Sequence, residues 1–195
     1  MKKYVLLHPV LLLFIVIGCK QKKSEEKTES FFPVLSFIKG QVADIDTSLY
    51  AIKKIVFIDS LHTDTSWMKR EEFRGLAKDF LSIPDISGKK YKKLYTEEKL
   101  YDESMNRVIL SYKPINPADA EIQKQEILIT PNAATGDKVS SIIIEQGIAN
   151  KDSSVQKKML WTVDQSFQVT TIRQTPGEAE TISTLKVTWN ETDEK

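Results

Sequence analysis

Between residues 107 and 189 the chain runs as short strand-like segments divided by turn residues, with no helical stretch among them. This pattern limits the fold most. The segments are 107–113, 122–130, 138–145, 157–164, 166–174 and 181–189. The breaks between them carry Pro114 to Pro117, Pro131-Asn132, Thr135-Gly136-Asp137, Asn150 to Asp152, Asp164-Gln165 and Pro176-Gly177. Strands that follow one another so closely have no room for parallel crossovers, so they predict an antiparallel meander. Alternation fixes which side is apolar. Met159, Trp161 and Val163 share one face, as do Phe167 and Val169, and Leu185, Val187 and Trp189.

Upstream the period changes. Phe31, Val34, Leu35, Ile38, Val42 and Ile45 recur at spacings of three and four, which predicts an amphipathic helix with Ser30 as N-cap and Pro33 in its first turn. Residues 50–58 are β-branched and aromatic and read as a strand, and polar residues 59–66 separate it from a second helix. That helix turns Phe73, Leu76, Ala77 and Phe80 to one side and ends at Pro84. Residues 91–101 fit either period, with a lean toward strand. The fold expected is α+β: two N-terminal helices packed on one face of a curved antiparallel β-meander of six or seven strands. The helix faces need a cover, and the most regular strand faces place Trp161 and Trp189 beneath them.

The chain opens on Met1-Lys2-Lys3, followed by an apolar stretch from Tyr4 to Ile17 that ends at Gly18-Cys19. This is the layout of a secretory signal peptide. A run of about 14 residues is shorter than the ~20 a helix needs to span a bilayer. Val16-Ile17-Gly18-Cys19 resembles the lipobox of bacterial lipoproteins, with Val16 and Ile17 standing where that family prefers Leu and Ala or Ser. The resemblance implies a diacylglycerol on the Cys19 thiol, cleavage after Gly18 and acylation of the new amino terminus. Together with the patterning of the rest of the chain, this gives a signal peptide over 1–18, a lipidated cysteine with a polar tether over 19–30, one domain over 31–190 and a tail over 191–195. The tether contains no apolar residue between Lys20 and Ser30 and cannot form a core. Lys20, rather than an acidic residue, follows the cysteine. By resemblance to the enterobacterial sorting rule this implies outer-membrane delivery, and because Lys20-Gln21-Lys22-Lys23 lacks the acidic residues that mark surface-exposed lipoproteins in some lineages, a domain that faces the periplasm.

Composition closes several routes. Cys19 is the single cysteine of the 195 residues, so an intramolecular disulfide or a multi-cysteine metal site is excluded. Loss of residues 1–18 takes the formal charge from +1 to about −1, which gives no global attraction to nucleic acid.

Residues with chemical capacity are few and scattered. His62 lies in a polar loop near Asp59 and Asp64 and reads as a solvated histidine. Glu97-Glu98 reads as surface charge, Asp44-Ile45-Asp46 as a helix end and Asn190-Glu191-Thr192 as an accidental sequon. Lys89-Lys90-Tyr91-Lys92-Lys93-Leu94-Tyr95 interleaves basic and aromatic residues in a way that suits phospholipid headgroups or plain surface charge. No nucleophile elbow, phosphate loop or dinucleotide fingerprint occurs, and the sequence calls for no catalytic, metal or cofactor-binding residue. The expected function is a lipid-anchored envelope protein with a non-catalytic binding or assembly domain, whose partner is an envelope protein or an apolar ligand. One alternative is a lipid carrier, since the helix-covered sheet is similar in layout to the periplasmic lipoprotein-carrier family. A carboxylate-based hydrolase is the other.

Overall fold

The computed structural model describes residues 30–58, 62–149 and 153–190. Helix α1 spans Val34–Thr47 and buries Val34, Ile38, Val42 and Ile45, a single stripe at helical spacing. Pro33, not Ser30, stands at its N-cap, and no side chain caps it. The expected second helix is broken into two single turns, α2 over Phe73–Leu76 and α3 over Lys78–Leu81, after a 3-10 turn at Arg70–Glu72. Ala77, with ψ near 5°, is the joint between them. Phe73, Ala77 and Phe80 still point inward and are fully buried, so the face was read correctly although the helix is not continuous.

Nine strands follow the order β2-β1-β9-β8-β7-β6-β5-β4-β3 in one antiparallel sheet. Their ranges are β1 Ile52–Phe57, β2 Thr63–Met68, β3 Tyr95–Asp102, β4 Arg107–Pro114, β5 Ile122–Thr130, β6 Lys138–Ala149, β7 Ser154–Thr162, β8 Ser166–Gln174 and β9 Thr181–Thr188. The α+β class holds, but the sheet is larger than the six or seven strands expected. Two additions account for the difference. Residues 63–68, taken as part of a polar linker and helix entry, form an edge strand, and the β1–β2 hairpin then joins β9 to extend the meander at its far end. An edge strand can be as polar as Thr63-Asp64-Thr65-Ser66 because one side of it meets water. The ambiguous 91–101 segment resolves into turns up to Leu94 and strand from Tyr95. Strand β7 stops at Thr162 because Asp164 adopts a left-handed φ of 60° in the turn to β8.

The helices cover one side of the sheet. Trp161 of β7, Phe167 of β8 and Trp189 just beyond β9 meet Phe73 and Phe80 from the helical turns. Phe80 lies edge-on to Trp161 with ring centroids 5.2 Å apart, and Trp161 stacks on Phe167 at 5.5 Å. Trp161 is 0% exposed and Trp189 3%, so both tryptophans lie where alternation put them. Ile127, Ile142, Ile144 and Met159 continue this face across β5 to β7. Ion pairs frame the helical layer. Arg74 Nε donates to Asp46 at 2.7 Å between α2 and α1, and Lys157 Nζ reaches Asp79 at 2.8 Å between β7 and α3. The other side of the sheet alternates charged and aliphatic residues. Register sets Glu126 beside Ile143, Ile143 beside Leu160, and Gln168 beside Lys186.

Candidate functional site

A cleft of about 320 Å³ lies at the β3–β5 end of the sheet, and two chain segments build its walls. The first leads into β3. Asp85 Oδ1 accepts from the Ser87 backbone N–H at 3.0 Å, Tyr91 N–H donates to Gly88 O at 2.9 Å, and Leu94 N–H donates to Tyr91 O at 2.8 Å. These tight turns stand Tyr91, Lys93 and Leu94 along one lip. The second wall joins β4 to β5 through Ile115, Asn116 and a 3-10 turn at Pro117–Asp119. Pro117 fixes the start of that turn, Gln123 Nε2 donates to Pro117 O at 2.9 Å, and the Asp119 carboxylate accepts from Asn116. Ile115 N–H donates to Leu94 O at 2.8 Å and clasps the two walls together.

Tyr95 forms the floor. It is 5% exposed, and its hydroxyl donates to Ile122 O at 3.1 Å. Burial raises the pKa of that hydroxyl, with the Glu121 charge adding to the shift, so Tyr95 stays a neutral donor. Leu94 and Ile115 flank the mouth and are 52% and 64% exposed. Charge divides between the lips. Lys93 stands on the first, with Lys92 and Lys90 close by, while Asp119 and Glu121 stand on the second. Glu121 accepts from the Gln146 side chain, and its carbonyl accepts from Gly147 N–H at 2.9 Å, which fixes it to β6.

The point where the N-terminal segment enters the domain lies beside this cleft. The Phe31 ring packs on Tyr112 with centroids 4.8 Å apart, and Phe32 N–H donates to the Tyr112 hydroxyl at 3.0 Å. That hydroxyl in turn donates to Glu97 at 2.9 Å. Burial drives the Tyr112 pKa well above the usual tyrosine value, and Glu97 adds to the rise. Lys92 Nζ sits 6.0 Å from the Phe31 ring centroid, so the residue before Lys93 lies close to the entering chain.

The residues singled out from sequence do not gather at one place. Cys19, the predicted lipidation position, lies outside the described residues, as do Asp59 and Thr192. His62 is exposed and its carbonyl accepts from Ile58 N–H at 3.0 Å in the β1–β2 connection. Glu97 and Glu98 lie on opposite faces of β3: the first holds Tyr112, the second pairs with Lys113 at 3.7 Å. Asp46 is engaged by Arg74. Among the described residues, no group of three or more His, Cys, Asp or Glu could hold a metal ion, and no helix is long and apolar enough to cross a membrane. The basic-aromatic run 89–95 is the one sequence signal that reaches the cleft. Tyr112, Glu121 and Gln146 were not singled out, because each acts through a partner distant in sequence. No family model, no curated protein and no solved structure matches the chain.

Proposed function

We propose that the chain is a bacterial envelope lipoprotein, held on the outer membrane through acylated Cys19 and carrying a non-catalytic binding domain that faces the periplasm. The observation behind the binding domain is the cleft between β3 and the β4–β5 connection. An apolar floor with exposed aliphatic flanks and charged lips is the composition of a ligand or partner site. Phe31, next to the first described residue, packs beside that cleft, so a tether of about a dozen residues from Cys19 keeps the site within about 40 Å of the bilayer. Binding at this rim accords better with the structure than a carrier that stores acyl chains between sheet and helices, because that space is filled by Phe73, Phe80, Trp161, Phe167 and Trp189.

Metabolic labelling with palmitate tests the anchor. Wild type takes up label and sediments with membranes, whereas Cys19→Ala takes up none and stays soluble after membranes are removed. Equal labelling of the two rejects it.

A further inference from the structure

We infer that the β3–β5 cleft is a headgroup site for a zwitterionic aminophospholipid of the phosphatidylethanolamine type. Lys93 takes the phosphate, Asp119 and Glu121 take the ammonium, and the first acyl carbons lie over Leu94 and Ile115. The membrane-facing role rests on the reading of Cys19 as an anchor.

Three observations converge on this ligand. The first is the separation of charge. Lys93 stands on the segment that leads into β3, Asp119 and Glu121 on the β4–β5 connection, and all three line the same space. Among the described residues Lys93 forms no ion pair, so a ligand phosphate meets a cation that is not already neutralised. Asp119 and Glu121 each accept one amide hydrogen, from Asn116 and Gln146, which orients the carboxylates and leaves lone pairs for an ammonium group. A purely anionic lipid would meet those two carboxylates as like charges. A purely cationic ligand would meet Lys93. A headgroup with both signs satisfies both lips.

The second observation is the apolar mouth. Leu94 at 52% and Ile115 at 64% exposure are joined through the Ile115 N–H to Leu94 O hydrogen bond, and they form an apolar ledge next to the charges. Sugar phosphates have nothing to lay on such a ledge, but the glycerol and upper chains of a lipid do. The third is position. Lys92 packs near Phe31, where the N-terminal segment joins the domain, so whatever holds that segment at a bilayer presents the cleft to headgroups.

Dihexanoyl phospholipids dissolve as monomers and need no anchor, so they test the site independently of Cys19. The full chain is titrated with the dihexanoyl forms of phosphatidylethanolamine and phosphatidylglycerol while amide resonances are followed. The amides of Tyr91, Leu94, Ile115 and Glu121 shift with the ethanolamine lipid, which binds about tenfold tighter than the glycerol lipid, as one charge-assisted contact allows. Asp119→Asn combined with Glu121→Gln removes that preference, and Lys93→Gln weakens both lipids. Melting curves that match wild type establish that each variant is folded. Equal affinity of wild type for the two lipids, or shifts confined to other surfaces, overturns the assignment. If the cleft binds as described while Cys19 takes up no palmitate, the site stands and the anchor falls.

Discussion

Trp161 is in contact with Phe80, Phe167 and Trp189 and has no exposed surface, so truncation leaves a hole that the surrounding rings cannot close. Trp161→Ala is expected to cost about 3–5 kcal/mol, a large share of the ~5–15 kcal/mol that stabilises a domain. Trp67 is 70% exposed on edge strand β2, and Trp67→Ala should change stability by less than about 0.5 kcal/mol. Urea unfolding monitored by far-UV circular dichroism measures both. Similar losses at the two positions would mean that the aromatic cluster is not the centre of the core. Tyr112 gives a second test, this time with pH. Its hydroxyl joins Phe32 to Glu97, and burial raises its folded pKa above the unfolded value near 10. The unfolded chain then loses this proton first as pH rises. The contribution is complete below pH 10 and declines above it. Tyr112→Phe should lose about 1–2 kcal/mol at pH 7 with the hydrogen bonds, and its stability should fall less steeply above pH 10 than that of wild type. Parallel alkaline profiles would show that this hydroxyl does not govern the response.

Among the elements, the β8–β9 hairpin shows how local chemistry fixes register. Pro176 and Gly177 occupy the middle of a turn closed by the Glu178 N–H to Thr175 O hydrogen bond at 3.1 Å, and Gly177 has φ +80°. A type II turn requires such a residue at its third position. Gly177→Ala finds open space around its new methyl, so the cost is backbone strain alone, about 1 kcal/mol by thermal melting. A neutral result would show that the turn does not impose this φ. What could be read from the sequence follows the same locality. The α1 stripe of Val34, Ile38, Val42 and Ile45 is buried as its spacing predicted, and β5 and β8 occupy the predicted residues 122–130 and 166–174. Strand β2 was hidden because Thr63-Asp64-Thr65-Ser66 has no apolar face, and at a sheet edge it needs none. The split of the second helix at Ala77 was hidden because burial of Phe73 and Phe80 satisfies the helical period on either side of the joint. The cleft was legible on one side only. Lys89 to Tyr95 is a visible motif, but Ile115 to Glu121 meets it through the pairing of β3 with β4, which no local pattern encodes.

Taken whole, the molecule is one continuous sheet with a helical layer on one side and a polar-lipped cleft where the chain enters. Among the described residues no group of three or more His, Cys, Asp or Glu is placed to hold a metal ion, and the single cysteine allows no intramolecular disulfide. The melting temperature should therefore be the same in chelator and in reductant as in plain buffer. A drop in chelator would point to a cation held by residues such as Asp119 and Glu121. The central claim is that this domain is tethered to a membrane with its cleft turned toward the headgroups, and everything in that claim depends on the amino terminus. The direct measurement is the intact mass of the chain extracted from native membranes. The account predicts a polypeptide that begins at Cys19 and carries a diacylglycerol with further acylation. A chain that retains residues 1–18, or one cleaved but bearing no lipid, would contradict it.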